Sequence, residues 1–232
     1  MEAVVLAGGF GTRLRSVVPD LPKPMAPVAG RPFLEILLHS LAQRGVERAV
    51  LSLGYRAELI QAHFGPHYAG MEIVCEVETQ PLGTGGALMR SLRRCHGEVA
   101  LVVNGDTFLD LNLQAVARQW QTQQRPIIVG RQVADTARYG RLRVAEGLVT
   151  AFEEKGASGP GLINTGHYLL PTDLLEGQSL PPAFSFESEF IVPRLDTLCL
   201  AAFETQGLFI DIGVPEDYHR AQIELAPHAR FA

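Results

Sequence analysis

The chain has 232 residues, 47% hydrophobic and 19% charged, which suits one substantial core and a single domain covering residues 1–232. A formal net charge of −5 without any basic run argues against a nucleic-acid partner, because duplex binding depends on a basic surface that displaces counterions. Neither a charged leader nor an apolar stretch of membrane-spanning length is present, so no signal peptide and no membrane partner are expected, and a cytoplasmic location is.

The first apolar run, Ala3 to Ala7, is short enough for a buried strand. Leu34, Leu37, Leu38 and Leu41 then recur at i, i+3, i+4 and i+7, which predicts a helix over Arg31 to Arg44, ended by Gly45. Strands follow at Arg48 to Gly54, Met71 to Val77 and Glu98 to Asn104, with helices at Glu58 to Phe64 and Gly83 to Arg94. Strands alternating with helices predict an α/β fold with parallel strands and right-handed crossovers. Ligands of such a sheet gather at the carboxyl ends of its strands. Beyond Asp110 the pattern is mixed. A helix is expected over Leu111 to Gln124 and a strand over Pro126 to Val133. A hairpin over Gly140 to Glu154 turns at Glu146-Gly147, and a helix covers Ser188 to Leu195. Short strands follow at Leu162 to Leu170, Leu198 to Glu204 and Leu208 to Ile212, and Pro215 opens the last helix with Glu216 and Asp217 at its positive dipole end.

Cys75, Cys95 and Cys199 are odd in number and unrelated in spacing, which suits reduced core thiols better than disulfides or a zinc site. His63 and His67 are four apart, but Gly65 and Pro66 between them break the helix that a shared metal would need.

The chemistry concentrates in three segments. The first, directly after the opening strand, runs from Leu6 through Gly8, Gly9, Gly11, Thr12 and Arg13 to Lys23 between two prolines. Glycines in such a loop present successive N–H groups without Cβ atoms in the way, which makes an anion site out of backbone. Arg13 adds a planar fork for phosphate oxygens and Lys23 a compact charge on a stiff support. The Walker pattern is absent, and the dinucleotide fingerprint fails where Leu14 stands in place of its third glycine. The second segment, Glu78 to Ala87, is again glycine-rich between strand and helix, and the amide of Gln80 can pair with a base edge. The third, Asn104-Gly105-Asp106, sets a carboxylate at the mouth of an apolar strand, a hard-oxygen ligand for the Mg²⁺ that a triphosphate site requires. Asp110 is the weaker candidate, a helix-dipole neighbour.

The run GGFGTRL followed by LPKP resembles the signature of the sugar-1-phosphate nucleotidylyltransferases, and the later segments agree over nearly the whole chain. The resemblance implies a three-layer, doubly wound, mixed but mainly parallel sheet of the Rossmann-like nucleotidyltransferase kind, with a nucleotide-binding half over about 1–110 and a sugar-binding half over about 111–232. It implies catalytic Arg13, Lys23 and Asp106, and nucleotide contacts at Leu6, Gly8, Gly9, Gly11, Thr12, Gln80, Gly83, Thr84 and Gly105. Mg²⁺ would sit on Asp106 and Asp211. The sugar phosphate would meet Tyr139, Gly140, Glu154, Lys155, Asn164, Thr165 and Glu187. The words PLGTGGAL, INTGHYLL, FSFE and FIDIGVPEDY look most like the guanylyltransferases of D-glycero-D-manno-heptose 1-phosphate, which makes GTP and that sugar phosphate the expected partners. Mannose-1-phosphate guanylyltransferases and the uridylyl-, thymidylyl- and cytidylyltransferases share most of them. Two other classes stay open: a catalytically silent nucleotide-sugar-binding homologue, against which Arg13, Lys23, Asp106 and Asp211 all stand, and a glycosyltransferase, whose D-x-D is not matched around Asp106. Oligomeric state is not readable, so a homo-oligomer stays open.

Overall fold

The computed structural model describes every residue except Arg15, Ser16, Glu154, Lys155, Ala157 and Ala232, and for Thr12 the backbone alone. Strands β1 (Glu2–Ala7), β4 (Arg48–Leu53), β6 (Met71–Val77) and β7 (Val99–Asn104) form the parallel centre of one ten-stranded sheet. Between them run β2 (Pro27–Val28) and β3 (Arg31–Pro32), a small separate pair, and β5 (His67–Tyr68), which closes one edge antiparallel to β6. Strand β8 (Thr107–Leu109) leaves the sheet after β7. The second half adds β9 (Ile127–Val133), β10 (Arg141–Ala145), β11 (Leu148–Glu153), β12 (Gly161–Pro171), β13 (Ala201–Thr205) and β14 (Phe209–Asp211). The sheet order is β10-β11-β13-β9-β12-β7-β1-β4-β6-β5, and β14 pairs with β8 in a ribbon of its own.

Alternating side chains of β1 supply two cores. Ala3, Val5 and Ala7 face one layer, and Val4 faces the other. Helices α1 (Phe33–Gln43), α2 (Ala57–Phe64), α4 (Leu113–Gln123) and α6 (Pro215–Glu224) cover the first face, and α3 (Gly83–Leu92) covers the second. The expected stripe of α1 is buried at all four leucines, each worth about 1.5–3 kcal/mol of transfer free energy. Asn112 caps α4, its side chain accepting the Ala115 N–H at 3.0 Å. The hairpin turns where expected, with Glu146 and Gly147 both at positive φ (51° and 77°), the backbone of a type I′ turn.

One expectation is corrected. In place of a single helix over Ser188 to Leu195, the segment is a π-turn stretch at Phe186–Ile191, a 3₁₀ turn at Val192–Arg194 and α5 (Leu195–Leu198). Pro193 cannot donate the amide that a continuous helix needs. Strand β13 consequently starts at Ala201, not at Leu198.

Candidate active site

The carboxyl ends of β1, β4, β6 and β7 converge on one cavity of about 450 Å³. Its wall includes Leu6, Gly8, Gly9, Gly11 and Arg13 from the first loop, Glu78, Gly83 and Thr84 from the second, and Lys23 and Asp106. Two glycines of the first loop are dictated by close approach. A Cβ at Gly8 would stand 2.2 Å from Glu78 Oε1, and Gly11, at φ +58°, would press one to 2.8 Å from Lys23 Cβ. Arg13 is exposed in a 3₁₀ turn over Thr12–Leu14, with no ion pair among the described residues. Gly105 lies behind the wall, its N–H donated to the Leu6 carbonyl at 2.8 Å.

The charged centre is assembled across the chain. Lys23 begins a 3₁₀ turn after extended Pro22, and its side chain is only 10% exposed. Its ammonium donates to Asp106 Oδ2 at 2.5 Å and lies 3.8 Å from Asp211 Oδ1. The β8–β14 ribbon sets Asp211 opposite Thr107, next to Asp106. The Gly213 N–H donates to Asp211 Oδ1 at 2.7 Å, and the Thr107 hydroxyl to Asp106 Oδ1 at 3.2 Å. Burial, and then the negative charge of Asp106, push the Asp211 carboxyl above the ordinary aspartate range, with Lys23 pulling the other way. Two hard carboxylates held on either side of one ammonium position are the oxygen ligands that a divalent cation takes when phosphate and water supply most of its other positions. Among the described residues no group of three or more His, Cys, Asp or Glu side chains gathers to hold a metal, here or elsewhere, so the two aspartates are all that the protein offers such a cation from these side chains.

In the second loop the arrangement departs from expectation. Gln80 is exposed and is not on the cavity wall; the chain bends just after β6, and it is Glu78, the first residue past the strand, that lines the cavity. The Glu78 carboxylate accepts the Leu82 N–H at 2.8 Å, and burial raises its pKa above the usual glutamate range. Its place at the end of β6, level with the ends of β1 and β7, was the signal that could have found it. Gly85 serves packing: a Cβ there would stand 2.1 Å from the Phe184 ring. The Thr84 hydroxyl accepts the Phe186 N–H at 2.9 Å, tying α3 to the second half.

On the sugar side, β12 runs antiparallel to β7, so its early residues reach the same edge of the sheet. A side chain at Gly166 would run into the Asn104 amide, which lines the cavity. Asn164 Nδ2 donates to Glu187 Oε1 and to the Tyr168 hydroxyl, each at 2.7 Å, and Tyr168 donates to the same Glu187 oxygen at 2.7 Å. Buried Tyr168 is held far above the usual phenol range by desolvation and then by Glu187. Tyr168 was not expected here. Thr165 does not fit a sugar contact through its side chain, which is buried and donates to the Val129 carbonyl at 2.8 Å. Tyr139 is half-buried, edge-on to Phe209 at 5.9 Å, and Gly140 backs onto the Glu153 carbonyl. Glu154 and Lys155, and the side chain of Thr12, lie outside the described residues. Asp110 is not near the centre; it pairs with Arg44 at 2.5 Å.

The chain matches the family described as nucleotidyl transferase over residues 2–227. It is 41% identical over 220 residues to a D-glycero-alpha-D-manno-heptose 1-phosphate guanylyltransferase of Campylobacter jejuni, covering 94% of this chain and 97% of that one. It is 38% identical over 226 residues to the enzyme of the same name from Aneurinibacillus thermoaerophilus, covering 97% and 98%. The crystal structure of HddC from Yersinia pseudotuberculosis complexed with GMP-PN superimposes with a TM-score of 0.85 at 38% identity, covering 95% of this chain and 97% of that one. With matches spanning nearly its full length, and glycine loop, lysine and paired aspartates gathered at one sheet edge, the chain belongs to the nucleotidyl transferase family.

Proposed function

We propose that the protein transfers GMP from GTP to D-glycero-α-D-manno-heptose 1-phosphate, forming GDP-heptose and releasing pyrophosphate. The observation that carries the reading is the Lys23, Asp106 and Asp211 centre at the foot of the glycine loop, a place for a triphosphate and no place for an acid–base pair. An oxygen of the sugar phosphate attacks the α-phosphorus, the bond from that phosphorus to the bridging oxygen breaks, and pyrophosphate leaves with that oxygen. The nucleophile is already ionised, so no general base is required, and alignment with charge neutralisation does the catalysis.

The amides of Gly8 to Thr12 and Arg13 hold the β- and γ-phosphates, and Lys23 stabilises charge at the α-phosphate. Asp106 and Asp211 would hold Mg²⁺, which when bound neutralises phosphate charge. Lys155 steadies the incoming phosphate, while Asn164, Glu187 and Tyr168 read sugar hydroxyls. Guanine alone among the common bases offers adjacent N1–H and N2–H donors, and a carboxylate accepts both; Glu78, not Gln80, is the group on the cavity wall able to do so. Both halves act as one domain, since the reacting atoms meet between them. The reaction belongs in the cytoplasm, a reading supported by three free cysteines and by the absence, among the described residues, of any helix long and apolar enough to cross a membrane.

The test is pyrophosphate release with Mg²⁺ from GTP, CTP, UTP and dTTP, each with heptose, mannose and glucose 1-phosphates. Release confined to GTP with the heptose phosphate supports the full assignment. Release with another pair retains the mechanism and replaces the substrates, and no release from any pair removes the transferase reading.

A further inference from the structure

Lys23 occupies an unusual position for a residue assigned to the α-phosphate. Its ammonium stands between the two carboxylates assigned to the metal, 2.5 Å from Asp106 Oδ2 and 3.8 Å from Asp211 Oδ1. The stem is pinned. The backbone is clamped by Pro22 and Pro24, by the Met25 N–H to the Pro22 carbonyl at 2.8 Å and by the Ala26 N–H to the Lys23 carbonyl at 3.0 Å, and Gly11 packs against the Cβ. The side chain is nearly shut off from water, so its charge is poorly screened and its best available partners are these two acids.

We infer that the Lys23 ammonium fills the metal position in the free protein, and that a divalent cation enters only together with a nucleoside triphosphate, which takes over Lys23. The inference rests on the assignment of Asp106 and Asp211 made above. A small divalent cation loses its waters reluctantly and needs six oxygen ligands. Two carboxylates already neutralised by an ammonium, with no third His, Cys, Asp or Glu among the described residues placed to complete a metal site, compete badly for it. A triphosphate changes both sides of the exchange: its oxygens complete the shell of the cation, and its α-phosphate offers Lys23 an anion to replace the aspartates. Loading is then ordered, with the cation and nucleotide arriving as one complex, and the lysine is delivered to the reacting phosphate by the same exchange.

Binding of Mn²⁺ alone, followed by the paramagnetic resonance of the free ion, tests this without turnover. Lys23→Met is expected to bind Mn²⁺ at least about tenfold more tightly than the wild-type chain, since an uncompensated positive charge a few ångströms away is removed. Adding Asp211→Asn to that variant is expected to remove the gain. Equal binding by wild type and Lys23→Met, or a gain that survives Asp211→Asn, overturns the inference. A second measurement does not depend on the variant folding. Lys23 and Lys155 are the only lysines in the chain, so ¹³C-lysine labelling gives two side-chain signals, assigned with Lys155→Arg. The Lys23 signal should ignore Mg²⁺ alone and move when Mg²⁺ and GTP are added together. Movement with Mg²⁺ alone, or none with both, overturns the exchange. A chain that releases pyrophosphate yet binds Mn²⁺ freely keeps the proposed function and loses this inference.

Discussion

The two sides of the cavity are built by opposite means. On the nucleotide side, each loop leaves the carboxyl end of a parallel strand, β1, β6 or β7, and enters a turn or helix directly, so neighbours in sequence are neighbours in the site. On the sugar side, β12 runs the other way, and Glu187 meets Asn164 and Tyr168 through hydrogen bonds across 23 and 19 residues. The first side owes its geometry to backbone freedom and fixed N–H groups; the second owes it to side chains that lock one another. A substitution on the nucleotide side should therefore strike the chemical step or the choice of base, and one on the sugar side should strike recognition of the acceptor.

The sharpest test of that division is Lys23→Ala. Losing a charge aimed at the reacting phosphate should lower kcat by about 10²–10³-fold, as for an oxyanion donor, with little change in the KM for the sugar phosphate; near-normal turnover in a steady-state assay would sink the assignment. Glu78→Gln comes next. It replaces an acceptor pair by one donor and one acceptor, so kcat/KM for GTP should fall about 10–100-fold, at about 1–3 kcal/mol for a bidentate base contact, while UTP and dTTP gain in relative terms. An unchanged base preference would return the reading of guanine to backbone groups. Tyr168→Phe should raise the KM for the sugar phosphate about tenfold, the worth of a hydrogen bond to a charged acceptor, and leave the KM for GTP alone. If both KM values rise together, the two sides are not separable in this way.

The smallest effect concerns stability, not turnover. His167 is fully enclosed in β12 beside the sugar-side cluster, its Nδ1 3.0 Å from the Thr165 carbonyl, and burial lowers its pKa to about 4. Above about pH 6.5 the ring is neutral in folded and unfolded chains alike. Between there and about pH 4 the unfolded chain takes up a proton that the folded one refuses, so this contribution, of order 3 kcal/mol, is lost as pH falls. Urea unfolding from pH 7 to pH 4 should show a shallower loss for His167→Gln than for wild type. Parallel slopes would mean that the ring charges in place.

Much of the nucleotide side was readable in the linear chain, and for a physical reason. A loop that grips phosphate with its backbone needs glycine, arginine and lysine at short range, and the strand before it needs a continuous apolar run. All of this is local, so β1, α1, β4, β6, α3 and β7 emerged near their observed bounds. Lys155 and Asp211 entered through family resemblance, since nothing in their own neighbourhood demands a charge.

Tertiary structure decided what depends on which face a residue turns. The bend that follows β6 leaves Glu78 on the cavity wall and Gln80 outside, though only one residue separates them. The reversal of β12 buries the Thr165 hydroxyl and presents Gly166 to Asn104. Above all, Asp106 and Asp211 stand 105 positions apart and meet only because two three-residue strands, β8 and β14, pair outside the main sheet. Strands that short carry too little pattern to announce themselves; their pairing is stabilised by Phe108, Phe209 and Ile210, buried in a core that exists only once the chain has folded.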